Sequence, residues 1–279
     1  MIPAPFAFAR ADSVDAAVAA LTEHGDEAKL VAGGHSLLPL MKLRLATPTV
    51  LIDVNDVVGL DGIHEDGDEI VVGSLVRHAA LVTSPVVRAH TPLLAAAAAE
   101  VGDPQVRHRG TLAGSLAHGD PAADLPAAFL ALRGSVTARS ATGTRRIEAD
   151  DFFVGFLETA LAPDEMITEV RLPKCAGAGW AFEKVTHRAQ DWAIVGVAAV
   201  GGDRPGVALV NMGGTPIRAA AVEKALRSGA TADAAAELAD TESDPSADRN
   251  ASAGFRRHLA RVLTRRALLD VAGRGAPAA

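Results

Sequence analysis

Apolar positions along this chain follow two periods, and the changes between them mark its elements. Val14, Ala17, Val18 and Leu21 recur at helical spacing behind Asp12 and Ser13, with Gly25 after them, which predicts a capped amphipathic helix. A short apolar run, Leu30-Val31-Ala32, predicts a strand leading into Gly33-Gly34-His35-Ser36. After it Leu38, Met41 and Leu45 return to helical spacing, with Pro39 near the start. Residues 49–54 and 69–73 predict two more strands, separated by an acidic surface turn over 61–68. Thr91-Pro92 opens a helix to about residue 101, with proline at the tolerated first position and Gly102 at the end. Residues 103–109 are assigned no element, and a helix over 122–132 puts Leu125, Phe129 and Leu132 on one face. Strand signals follow at 135–138 and 145–149, and Phe152, Phe153 and Phe156 read as core. The strand over 166–172 stops at Pro173, and the Gly/Ala stretch 176–179 reads as a linker.

Beyond that linker the pattern changes. Strand signals at 180–185, 192–200 and 206–212 predict a small antiparallel sheet, and helices follow over 218–226, 232–239 and 253–271. In the last helix Phe255, Leu259, Val262 and Leu269 define the apolar face, leaving its arginines solvated or free to meet a partner. Residues 232–248 are small and polar enough to suggest disorder. Strands followed by helices make this an α+β unit. The organisation expected is a two-lobed domain over 1–174, with lobes of about 1–54 and 55–174, and a second domain over 175–279.

Composition narrows the function classes. The net charge of -7 and pI near 5.7 leave no basic stripe for nucleic acid. No long uncharged apolar run and no leader-like start are present, so the expected location is the cytoplasm, with no membrane span. A single cysteine, Cys175, cannot make an internal disulfide or an all-cysteine metal or iron–sulfur site. The histidines show no metal-binding spacing, so no metal site is expected.

Two glycine-rich stretches carry the chemistry. Over 30–45, LVAGGHSLLPLMKLRL, the paired glycines permit positive φ and close approach to the main chain, and amides beside a helix start suit a phosphate. The plainer reading is a turn, with His35 and Ser36 capping the helix. Over 109–126, RGTLAGSLAHGDPAADLP, small residues occupy positions that a core element gives to bulky ones. Such a stretch lies against something that is not protein side chain, or else is a loop between packed elements. Neither a G-x-G-x-x-G turn nor a Walker loop occurs. Gly34-His35-Ser36-Leu37-Leu38 begins like a serine-hydrolase elbow but has Leu38 where glycine is required.

In order and spacing, residues 32–44 and 111–126 resemble the two flavin segments of the FAD-binding medium subunit of the molybdenum hydroxylases, the carbon monoxide dehydrogenase and xanthine dehydrogenase family. The resemblance runs from residue 2 to about 272. It implies an α+β fold: a two-lobed FAD-binding domain of the type shared with vanillyl-alcohol-oxidase-like flavoproteins, then a small C-terminal domain of antiparallel sheet and helices. It implies FAD as cofactor, with Ala32, Gly33, Gly34, His35 and Ser36 on the pyrophosphate. Thr111, Leu112, Ala113, Gly114 and Ser115 would approach from the second lobe, and Asp124 would accept from a ribityl or ribose hydroxyl. Ile167 would lie near the adenine, and Lys184 and Trp192 near the isoalloxazine. On the plainer readings Lys184 is a surface charge and Trp192 a core residue.

The resemblance further implies an oxidoreductase subunit that relays electrons from iron–sulfur clusters of a small subunit through FAD to a small-molecule acceptor. A molybdopterin large subunit would oxidise the substrate, so no catalytic side chain is expected here. The alternatives are a stand-alone FAD-dependent oxidoreductase acting on a small molecule and a scaffold that has lost FAD. Two departures from the family pattern stand out: Ala113 replaces the first glycine of a pair, and Ser115 replaces asparagine. A Cβ at a close-contact position costs about 1 kcal/mol or more, which would weaken FAD binding.

Overall fold

The computed structural model describes residues 2–275. Strands Ala7–Arg10, Ala28–Val31 and Val50–Asp53 form a parallel sheet with Val50–Asp53 in the middle. Parallel strands require a crossover, and the helix Val14–His24 supplies the first one. Ser13 caps it by accepting from the Ala16 N–H, and Ala17, Val18 and Leu21 are buried beneath it. Because the strands run in one direction, the loops after Val31 and Asp53 emerge at the same end of the sheet.

The second sheet has the order Ile63–Asp66, Glu69–Gly73, Met166–Pro173, Ser135–Ser140, Gly143–Glu148, with every pairing antiparallel. Its core takes in the helices Pro92–Ala99, Leu112–His118 and Asp124–Ala131, the last buried along its whole length. Phe129, Phe152 and Phe153 meet edge to face there, at centroid distances of 5.1 to 6.2 Å.

Trp180–Thr186, Ala193–Val200, Gly206–Val210 and Ile217–Arg218 form the antiparallel sheet expected after the linker. Ala193–Val200 is buried from end to end. Ala198 and Val200 join the core of the preceding helices, while Val195, Val197 and Ala199 pack toward the helix Ala253–Gly275. A strand covered on both faces has no polar side, and its continuous apolar run records that. Among the described residues no helix is long and apolar enough to cross a membrane.

Several expectations change. Residues 103–109 contain a helix, Pro104–Arg109, capped by the Asp103 carboxylate. Residues 232–248 are folded: Ala235, Ala236 and Ala239 are buried, and Asp240 accepts two hydrogen bonds from Arg261 at 2.9 and 2.8 Å. Phe156 projects from the turn between Phe153–Gly155 and Glu158–Thr159 and is exposed. The last helix buries Arg256, Ala260, Leu263, Thr264, Ala267 and Leu268, while Phe255 and Leu269 remain about half exposed. Alanines at 260 and 267 let the helix lie close on the sheet, and Arg256 is admitted because it donates to the Ile194 carbonyl and Asp248.

Candidate functional site

The first glycine segment leaves the carboxyl end of Ala28–Val31, and the Val54 N–H donates to the Val31 carbonyl at 3.2 Å. Gly34 takes φ 75, a left-handed value that would cost another residue about 1 kcal/mol. No N–H of Gly33, Gly34, His35 or Ser36 donates to another described residue. Ser36 stands at the cap position of the helix Leu37–Leu43, yet its side chain accepts from no helix N–H. The capping role of the plainer reading is therefore absent, and a hydroxyl with four consecutive amides is left without protein partners. Such a group concentrates partial positive charge and has the chemistry of an anion cradle.

The second segment meets the first backbone to backbone. A Cβ on Gly33 would lie 2.3 Å from the Arg109 carbonyl oxygen and 2.9 Å from the Gly110 Cα. Only glycine permits this approach. The Thr111 hydroxyl accepts from the Gly114 N–H at 3.1 Å and so caps Leu112–His118. A Cβ on Gly114 would press on that hydroxyl at 2.7 Å.

Ala113 lies in the first turn of this helix, 4% exposed, outside the positive-φ residues. Its methyl belongs to the core, so the strain expected of a Cβ there does not arise. The Leu112 side chain is also core, and its N–H donates to the Val76 carbonyl at 3.4 Å. Within 111–115 only Gly114 and Ser115 retain appreciable exposure.

Asp124 opens the helix Asp124–Ala131, and Lys184 reaches it from Trp180–Thr186. Lys184 Nζ donates to Asp124 Oδ2 at 2.8 Å and to the Glu100 carbonyl at 3.1 Å. The side chains are 6% and 7% exposed, so Lys184 is no surface charge. Asp124 Oδ1 is buried without a partner and can accept from a ligand hydroxyl. Burial pushes the Asp124 carboxyl up to about 6 against the pull of Lys184.

Trp192 is 68% exposed, which removes the core reading. Asn211 fastens the neighbouring residue to the end of the second segment: its N–H donates to the Pro121 carbonyl and its Nδ2 to the Ala193 carbonyl, both at 2.7 Å. Ile167 is a core residue beside a register shift in Met166–Pro173. The geometry thus joins residues 32–36 to 109–115, Asp124 to Lys184, and Pro121 to the strand that follows Trp192, while Ile167 packs in the sheet.

Three residues outside both motifs stand at the meeting of the segments. Asn55 donates to the Ala32 carbonyl at 2.9 Å, and Arg77 donates to the Arg109 carbonyl at 2.6 Å. His78 is buried beside Gly110 with both ring nitrogens unpartnered, and burial holds its pKa down at about 4. The signal for two of them was available: Arg77 and His78 interrupt the apolar stretch 70–82.

A diphosphate with hydroxyl-bearing arms and a flat ring fits this donor set. The unpartnered amides offer donors to phosphate, Asp124 Oδ1 offers an acceptor to a hydroxyl, and the exposed indole of Trp192 offers a stacking face.

Known proteins are similar to this chain over nearly all of its length. The FAD-binding domain of molybdopterin dehydrogenases matches residues 4–175, and the CO dehydrogenase flavoprotein C-terminal domain matches residues 180–271. The carbon monoxide dehydrogenase medium chain of Hydrogenophaga pseudoflava is 40% identical, over 96% of this chain and 97% of its own. The 6-hydroxypseudooxynicotine dehydrogenase complex subunit alpha of Paenarthrobacter nicotinovorans is 37% identical, over 99% and 98%. A solved structure of the Hydrogenophaga pseudoflava carbon monoxide dehydrogenase, in a form lacking the Mo-pyranopterin moiety, matches with a TM-score of 0.95 at 41% identity, over 99% and 100% of the two chains.

Proposed function

This chain belongs to the FAD-binding medium subunits of the molybdenum hydroxylase-type dehydrogenases, and we propose on that premise that it relays electrons between partner chains and an external acceptor. It is an oxidoreductase subunit with FAD as cofactor. In this reading a molybdopterin large subunit oxidises the substrate, and iron–sulfur clusters of a small subunit pass the electrons on. The relatives' names support it, since "medium chain" and "complex subunit" describe parts of larger assemblies. The complex is cytoplasmic, and its FAD-binding and C-terminal domains divide between residues 174 and 175.

Bound FAD supplies the redox chemistry; the chain supplies position and electrostatics. The amides of Gly33 to Ser36 and the Ser36 hydroxyl donate to the diphosphate, joined from the second segment by the Ser115 hydroxyl, while Gly114, with no side chain, leaves the diphosphate room to approach. The Ala32 and Thr111 backbones, with the buried Leu112 and Ala113, hold these donors in place. Asp124 Oδ1 accepts from a hydroxyl of the cofactor, Lys184 fixes that carboxylate and places a positive charge beside the ring, and Trp192 covers the ring. Ile167 lines the adenine end. Electron relay needs no side-chain acid, base or nucleophile, and no residue here is assigned as one.

The observation that carries the reading is the contact of Gly33 with Arg109 and Gly110 beside four unpartnered amides. The test is rapid mixing of substrate with the assembled complex and with the FAD-loaded chain alone. Flavin absorbance should bleach only in the complex, after the iron–sulfur signal changes. Bleaching in the isolated chain would make it a stand-alone oxidoreductase and overturn the relay.

A further inference from the structure

The meeting of the two glycine segments is spanned by a continuous hydrogen-bonded chain of side chains that neither motif contains. Asn55 Nδ2 donates to the Ala32 carbonyl at 2.9 Å, and Arg77 donates to Asn55 Oδ1 at 2.6 Å. The other arm of the same guanidinium donates to the Arg109 carbonyl at 2.6 Å. Asn55 is itself held, because its backbone N–H donates to Asp53 Oδ1 at 3.0 Å. The link therefore runs from the first segment to the second alongside the point where Gly33 touches Arg109. Both arms of Arg77 end on neutral oxygens, although a half-buried guanidinium is ordinarily matched by a carboxylate.

We propose that Asn55 and Arg77 form a strut that sets the separation of the two FAD segments, with Arg77 as a positioning residue for the diphosphate. The proposal rests on the reading that FAD binds at these segments. A planar two-armed donor suits the role, since a single ammonium holds neither acceptor in a fixed relation to the other. The strut keeps the segments at binding distance in the empty protein, so that binding does not have to order them.

The test is a double-mutant cycle on the full-length apoprotein, with FAD affinity read from flavin fluorescence and amide hydrogen exchange read on the same samples. The variants are Asn55→Ala, Arg77→Leu, the double variant and Arg77→Lys. Each single change should weaken FAD binding about ten- to a hundredfold. The double variant should be no more than about threefold worse than the worse single one, since one link is already cut. Arg77→Lys should restore little, and exchange in the apoproteins should rise together at the hydrogen-bonded amides beside the junction, Leu38 and Val54 on the first side and Gly110 and Gly114 on the second. Additive losses, wild-type affinity in Arg77→Lys, or unchanged exchange would overturn the strut. A wild-type chain that binds no FAD would overturn the cofactor reading instead, and the exchange comparison would still decide the strut.

Discussion

Replacing Gly33 with alanine adds one methyl group at the tightest contact between the two segments. That Cβ would stand 2.3 Å from the Arg109 oxygen, 2.8 Å from its carbonyl carbon and 2.9 Å from the Gly110 Cα. Carbon and carbonyl oxygen approach comfortably at about 3.3 Å, so the segments must part by roughly 1 Å. All three atoms are main chain, which cannot swing aside as a side-chain tip would. A displacement of this size removes one or more amide donors from a phosphate that needs both segments. Each lost charge-assisted bond is worth about 1.5–3 kcal/mol, or about ten- to a hundredfold in affinity. The assay is FAD titration of the apoprotein by fluorescence quenching, with a thermal melt to confirm folding. Gly254→Ala serves as the control, because a Cβ there meets nothing within 4 Å. Binding by Gly33→Ala within twofold of wild type, with an unchanged melt, would refute the reasoning.

Three further outcomes are expected. Ala113→Gly should lower apoprotein stability in urea by about 1 kcal/mol, as helix-interior glycines do, and leave FAD affinity within about threefold, because Ala113 packs in the core. His78, held at about 4 by burial, favours folding in its neutral form. Its contribution is complete above the unfolded value near 6.5 and is lost as pH falls through 4, on the order of 3 kcal/mol; His78→Asn should remove that part of the acid dependence in paired melts. Lys184→Met leaves the buried Asp124 carboxylate without its partner and should cost about 3–5 kcal/mol at neutral pH. Because Lys184 holds the Asp124 carboxyl down at about 6 against burial, its loss raises that carboxyl further, so the deficit should shrink as pH falls from neutral toward 6 and stay level below it, where the acid is neutral in both proteins.

The readable parts of this chain were those where one residue type has one physical use. Paired glycines at 33 and 34, and the small residues of 109–126, announced close main-chain approach because nothing else calls for so little side chain. Ala193–Val200 was legible as a strand because its apolar run is short and followed by turn residues. The last helix misled because its inner face mixes Leu263 and Leu268 with alanines, Thr264 and Arg256, while Phe255 and Leu269 lie outward. Periodicity weighs size and polarity, whereas the sheet beneath the helix selected small residues and a hydrogen-bonded guanidinium. Resemblance marked Asp124 and Lys184 separately, but their pairing joins positions 60 residues apart, and spacing along the chain carries no record of such a contact. Asn55 and Arg77 were passed over for the same reason: each completes a bond whose other end lies in a distant segment.

The most direct measurement is residue-level amide hydrogen exchange on the apoprotein, before and after one equivalent of FAD. The amides of Gly33, Gly34, His35 and Ser36 lack protein partners and should exchange rapidly in the empty chain. With one equivalent of FAD they should become protected, and the amides of Gly114 and Ser115, already bonded to Thr111, should at the same stoichiometry exchange more slowly still, since one diphosphate bridges both segments. FAD binding with protection at only one segment, or at neither, would contradict the account.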